Sequence, residues 1–165
     1  MEEDLLGKMG AQKIRQVGET LEEWHEDLER QALEIKKEFD EEMYASRNGA
    51  PKEWFRYSVR VRSPKEERDR GMKQPATRLA IEWRRMEWVS TANGKKKYQA
   101  RYVRKGSASR YATGRFKPAS ERERRMIESA EDRFAIVRDQ VATIGSLRKV
   151  IANVTRAQKN KEELE

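Results

Sequence analysis

The stretch WFRYSVRVR, from Trp54 to Arg62, decides the fold because its side chains alternate strictly between two kinds. One side of the stretch carries Phe55, Tyr57, Val59 and Val61. The other side carries Arg56, Ser58, Arg60 and Arg62. A period of two, built from β-branched and aromatic residues, predicts a strand with one face buried and one face exposed.

A second strand is predicted from Arg78 to Val89 by the same alternation. Its apolar face holds Leu79, Ile81 and Trp83, and its opposite face holds Arg78, Glu82 and Arg84. The apolar pattern continues in the other phase at Met86 and Trp88, so the adjacent Arg84 and Arg85 predict a β-bulge.

A third strand follows a hairpin. Asn93-Gly94 is the strongest turn signal in the chain and predicts a hairpin that leads into a strand from Lys96 to Arg104. The apolar side of this strand is expected to carry Tyr98, Ala100 and Tyr102. The polar side is expected to carry Lys97, Gln99 and Arg101.

Long helical segments flank these strands. Apolar residues step by three and four from Ile14 to Met43, which predicts a helix that packs on another helix. A capping box of Thr20 and Glu23 predicts that its main part begins near Thr20, and Asn48-Gly49 ends it. Ser120 and Glu123 form a second capping box, after which the same spacing runs from Ile127 to Val154, with Gly145-Ser146 as the one weak point, either a bend or a close helix crossing.

The expected architecture is an α+β fold in which two long coiled-coil-like helices form an antiparallel hairpin and flank a small three-stranded antiparallel β-sheet. Residues 1–49 form an acidic helical arm, residues 50–118 form the basic sheet region, and residues 119–165 form a helix whose tail frays from about Gln158. Two long helices alone bury little surface, so we expect a homodimer that covers both seams.

Charge is sorted along the chain. Residues 1–50 carry 7 Lys and Arg against 14 Asp and Glu, whereas residues 51–118 carry 20 against 6 and residues 119–165 carry 10 against 9. A middle segment with a net charge of +14 predicts a polyanionic partner, and double-stranded DNA is the first candidate.

The candidate DNA-binding residues lie on the sheet, at the hairpin tip and in the loop that follows. Those on or beside the strands are Arg56, Ser58, Arg60, Arg62, Arg78, Arg84, Gln99 and Arg101. Those at the tip and in the loop are Lys95, Lys96, Lys97, Arg110, Arg115 and Lys117. Three alternatives stay open: an ordinary solvated basic face, a helical protein–protein adaptor, and an RNA-binding module.

The sequence lacks the residues that several classes of catalytic or cofactor-binding site require. The sequence has no Cys and one His, and it shows no glycine-rich phosphate loop and no dinucleotide fingerprint. We therefore expect no catalytic residues, no metal site and no cofactor. No apolar stretch approaches the ~20 residues that span a bilayer, so we expect a cytoplasmic protein with no membrane partner.

Three stretches resemble the MobI-type accessory proteins of conjugative plasmids and integrative conjugative elements. They are RNGAPKEWFRYSVRVR (47–62), LAIEWRRMEW (79–88) and EDRFAIVRDQVATIGSLRKVIANVTRA (131–157). The resemblance extends over roughly residues 39–157. It implies a relaxosome component that acts at the origin of transfer and helps the relaxase assemble there, so origin DNA and a relaxase are the partners it implies.

Overall fold

The computed structural model of the protein describes residues 2–163, with the side chains of residues 7–161 and 163. Three helices form: α1 (Glu2–Ser46), α2 (Pro64–Asp69) and α3 (Glu121–Glu162). Three strands form: β1 (Tyr57–Arg62), β2 (Ala80–Ser90) and β3 (Lys96–Tyr102). Single 3-10 turns lie at Pro51–Glu53 and Thr113–Arg115. The predicted α+β class with two long helices and a three-stranded antiparallel sheet is confirmed.

Both long helices continue past the points where the sequence predicted a boundary or a bend. The hydroxyl of Thr20 donates to the carbonyl of Gln16 (3.0 Å), one turn back, so the predicted start of the main helix near Thr20 is wrong. Gly145 and Ser146 lie within continuous α3, and this helix extends to Glu162. The cap at Ser120 is confirmed, because its Oγ accepts from the backbone N–H of Glu123 (3.1 Å).

The sheet is antiparallel with the strand order β1-β2-β3. Gly94 closes the hairpin: its N–H donates to the carbonyl of Thr91 (2.9 Å), and its φ of +74° is the left-handed conformation that glycine adopts most readily. The predicted bulge is absent from this sheet. Arg84 and Arg85 pair regularly with Ser58 and Tyr57, so β2 keeps one phase along its length.

The helices cover one side of the sheet, which we call the inner face. Trp83 is its centre and is fully buried. The Trp83 ring meets Phe39 of α1 at 4.8 Å, Phe116 at 5.4 Å and Phe134 of α3 at 6.2 Å between centroids, each nearly edge-to-face. Tyr57, Val59 and Ile81 are buried around it. The core therefore lies between the sheet and the two long helices.

The structure divides into two units. One spans residues 29–138 and contains the sheet; within it, α1 and α3 run antiparallel and are linked by the ion pairs Glu42–Arg122 and Glu38–Arg133. The other comprises the residues up to Leu28 and those from Asp139 onward. Within this second unit the indole N–H of Trp24 donates to Gln140 (3.0 Å), and Arg148 pairs with Glu22 (2.7 Å).

Candidate nucleic-acid interface

The side of the sheet that faces away from the helices is the outer face. It comprises alternate residues of the three strands: Ser58, Arg60, Arg62, Ala80, Glu82, Arg84, Met86, Trp88, Ser90, Lys96, Tyr98, Ala100 and Tyr102. Arginines from β1 and β2 share this face with aromatic residues from β2 and β3. Such a surface combines groups that hold phosphates with groups that stack on bases.

The side-chain directions on β3 are the opposite of those predicted. Arg84 pairs with Tyr102, and Arg85 pairs with Arg101. Paired residues of an antiparallel ladder lie on the same side of the sheet, so Tyr102 joins Arg84 on the outer face. Arg101 lies on the other side, together with Lys97 and Gln99. The prediction that Arg101 and Gln99 share the arginine-rich face was therefore wrong.

Two buried polar atoms on the outer face are unpaired. Ser58 and Arg84 are cross-strand partners near its centre. Within the described part of the chain, neither the hydroxyl of Ser58 nor the Nε of Arg84 has a hydrogen-bond partner, although both atoms are buried. Beside them, Arg60 donates to the hydroxyl of Tyr102 (2.6 Å).

Arg62 is held at one end of the outer face by Glu67 of α2. Its guanidinium donates twice to that carboxylate, at 2.8 and 2.9 Å, and the carboxylate also accepts from the backbone N–H of Ala76 (2.6 Å). The bonds from Arg62 are the main reason why the pKa of Glu67 is lowered to about 2. Arg62 is therefore engaged within the protein.

The remaining predicted residues are dispersed. Arg101 forms an ion pair with Glu87 (3.2 Å), and Arg110 forms one with Asp132 of α3. Arg56 and Arg78 precede β1 and β2, and Arg115 and Lys117 lie in the loop before α3. These four are exposed, as are Gln99 on β3 and Lys95, Lys96 and Lys97 at the hairpin tip. The structure thus brings Ser58, Arg60, Arg62 and Arg84 together on the outer face, places Lys96 at the hairpin end of that face, and places the others elsewhere.

A groove adjoins the outer face at the start of β1. Its volume is about 470 Å³, and it is lined by Arg47, Pro51, Trp54, Phe55, Arg56, Arg85, Met86, Glu87, Trp88 and Tyr98. The rings of Trp88 and Tyr98 lie 5.0 Å apart across β2 and β3. The indole N–H of Trp54 donates to the carbonyl of Gly49 (3.1 Å), and Trp54 also lines the groove. Sequence reasoning missed the groove because its walls come from three separate segments.

Two buried glutamates of α3 connect the helix to the sheet region. Glu123 accepts from the backbone N–H groups of Arg56 (2.6 Å) and Tyr57 (2.8 Å), and burial is the main reason why its pKa is raised. Glu131 accepts from the indole N–H of Trp83 (2.6 Å) and from the guanidinium of Arg138 (2.9 Å). The signal was present in the sequence, since these acids fall at helical spacing on the apolar seam.

A family model described as MobI protein matches residues 28–152. The chain belongs to the MobI family. Membership places it among the accessory proteins of plasmid mobilisation. No curated protein and no solved structure matches this MobI chain.

The described residues of this MobI chain show neither a metal-binding cluster nor a membrane-spanning helix. They contain no cluster of three or more His, Cys, Asp or Glu side chains that could hold a metal ion. Across the same residues, no helix combines the length and the hydropathy needed to cross a membrane.

Proposed function

We propose that this MobI-family protein is an accessory factor without enzymatic activity that binds double-stranded DNA at a conjugative origin of transfer and helps recruit the relaxase there. The observation that carries the proposal is the composition of the outer face. Arg60 and Arg84 lie on it with Ser58, and Glu82 is its only acidic residue. Guanidinium and hydroxyl groups favour a ligand rich in hydrogen-bond-accepting oxygens, and phosphate groups supply them.

The hairpin tip supports the same proposal. Lys95, Lys96 and Lys97 are consecutive, exposed and at one end of the β2–β3 ladder. Lysines at such a position can hold the DNA backbone, while the outer face contacts bases or further phosphates. Ser58 and the arginines are the side chains able to donate to base edges.

A homodimer is part of the proposal, because the second unit leaves apolar residues of α3 exposed. Leu147, Val150 and Val154 follow one another at helical spacing and are 41%, 58% and 43% exposed. A second copy that pairs along this helix would bury them. Sedimentation equilibrium of the full chain is expected to give twice the monomer mass of 19.5 kDa.

The test is a titration of the full chain on duplex DNA at several salt concentrations. If about six phosphates are neutralised, the logarithm of the affinity should fall with the logarithm of salt at a slope near −5. A flat salt dependence would contradict the proposal and favour a protein–protein adaptor.

An RNA-binding module is the second candidate, favoured by the exposed aromatic residues Trp88, Tyr98 and Tyr102. Competition between duplex DNA and RNA of equal length separates the two candidates. The proposal requires that duplex DNA displace labelled duplex at lower concentrations than RNA does.

A further inference from the structure

The groove beside the outer face exists because β1 is shorter than its neighbour. β1 begins at Tyr57, opposite Arg85, whereas β2 continues to Ser90. The last residues of β2 therefore pair with β3 alone. Trp54, which precedes β1, lines this groove together with Trp88 and Tyr98.

We propose that this groove binds unpaired bases of a single DNA strand by stacking them on Trp54 and Trp88. The inference rests on the proposed function, because it identifies a second form of DNA that the same protein recognises. Duplex binding is assigned to the outer face, and single-strand binding is assigned to the groove.

The aromatic walls of the groove carry the first argument. Trp54 is 40% exposed, Trp88 is 66% exposed and Tyr98 is 39% exposed, and all three rings lie within one groove. Large aromatic side chains are usually mostly buried, so three exposed rings that line one groove indicate a ligand with flat apolar faces. Every nucleobase has such a face, and stacking is tolerant of sequence.

The charges around the groove carry the second argument. Arg47, Arg56 and Arg85 line it, and Glu87 is the only acid that does so. Glu87 is already paired with Arg101 (3.2 Å), which weakens its repulsion of a phosphate. A lining with three guanidinium groups complements the phosphates that join successive bases, and it favours a nucleic acid over a neutral peptide.

The size of the groove excludes an intact duplex. About 470 Å³ lies within the roughly 300–1,000 Å³ of typical small-ligand sites. A base can reach such a site only after it has left the stacked helix, as in single strands. The groove can therefore accept a base of single-stranded DNA but not a base that is stacked within an intact duplex.

The experiment measures the affinity of the full chain for a dT oligonucleotide of about 16 nucleotides, the upper site size of common single-strand binders, and for a hairpin duplex. We expect Trp54→Ala and Trp88→Ala each to weaken dT binding by about 5- to 100-fold, the effect of losing one stacked base. Duplex affinity should be unchanged in Trp54→Ala, because Trp54 precedes β1 and is not part of the outer face. Trp54→Phe and Trp88→Phe should retain most of the dT affinity, because a ring that can stack remains.

Tyr44→Ala is the matched control, because Tyr44 is 63% exposed and does not line the groove. It should leave dT binding unchanged. Bound dT should also quench tryptophan emission, and that quenching should decrease in the two Phe variants. The other tryptophans, Trp24 and Trp83, are less exposed.

Equal dT affinity in the parent and both Ala variants would overturn the inference. If the parent still bound duplex with a steep salt slope, the proposed function would stand without it. Binding of oligo-U in clear preference to dT would also overturn the assignment to DNA. Absence of duplex binding in the parent would overturn the proposed function itself, whatever the dT result.

Discussion

Arg138 and Arg84 lie on opposite sides of the sheet and are used in opposite ways. Arg138 of α3 donates to the carboxylate of Glu131 and to the backbone carbonyls of Ser109 and Ile81, and its guanidinium lies 4.9 Å from the Tyr111 ring centroid. Within the described residues, the side chain of Arg84 on the outer face makes no hydrogen bond or ion pair. In each, the Nε is buried and unpaired, but only Arg138 has its terminal nitrogens satisfied.

The difference indicates which charges hold the fold and which are available to a ligand. A buried guanidinium bonded to a carboxylate on α3 and to carbonyls of the sheet region holds those elements together. Arg84, on the outer face, makes no such bond to any residue that the structure describes and so stabilises no contact within the protein. Substitutions in the core between the inner face and the helices should therefore reduce the stability of the fold. Substitutions of unpaired residues on the outer face should reduce the affinity for duplex DNA.

The largest expected effect is that of Arg138→Ala, which leaves the buried carboxylate of Glu131 without its cation. We expect a loss of about 3–5 kcal/mol in the free energy of unfolding, the usual result of breaking a buried ion pair from one side. Urea denaturation measures it. Arg133→Ala is the control, because its pair with Glu38 is exposed and should contribute less than about 1 kcal/mol. Equal losses of unfolding free energy in Arg138→Ala and Arg133→Ala would contradict the structural role assigned to Arg138.

Arg84→Ala should have the opposite result, with little change in stability and a clear loss of duplex affinity. We expect its free energy of unfolding to stay within about 0.5 kcal/mol of the parent, as for substitutions without a structural partner. Duplex affinity should fall by about 10- to 100-fold, the range for a hydrogen bond to a charged group. Denaturation and DNA titration of the same sample provide both values. A clear loss of stability with unchanged affinity would reverse the role assigned to Arg84.

The smallest expected effect concerns Glu67, which pairs with Arg62 at one end of the outer face. Its pKa in the folded protein is about 2, below the usual 4.5, so it stabilises the fold above about pH 4.5 and loses that contribution as the pH falls toward 2. Glu67→Gln should therefore melt at a lower temperature than the parent at neutral pH. The difference in melting temperature between the two proteins should shrink as the pH falls from about 4.5 toward 2. Glu66→Gln, whose partner Arg70 is exposed, should show little gap at any pH.

The alternation in β1 was sufficient to predict that strand, because Tyr57 and Val59 are buried as the pattern required. The same rule failed on β3. Tyr98 and Tyr102 look like core residues, but their direction is set by pairing with β2, and the register places them on the outer face. Side-chain composition alone does not specify register when both faces of a strand carry large residues.

The helix boundaries show a similar limit. Thr20 had the sequence of a cap, but its hydroxyl bonds to the preceding turn, which a helix interior allows. Glu123 and Glu131 fall on the seam of α3 and were missed as anchors, because their partners come from Arg56, Tyr57 and Trp83, far away in the sequence. Local signals predict elements well, whereas partners across long loops require the fold.

The central claim is that the outer face of the sheet is the DNA-binding face. Arg60 lies on it, and Arg101 lies on the opposite side of the sheet. The direct measurement is the salt dependence of duplex binding for Arg60→Ala beside Arg101→Ala. We predict that Arg60→Ala makes the slope about 0.9 less steep, the effect of one lost phosphate contact, and that Arg101→Ala leaves it unchanged. An unchanged slope for Arg60→Ala with a shallower one for Arg101→Ala would contradict the account.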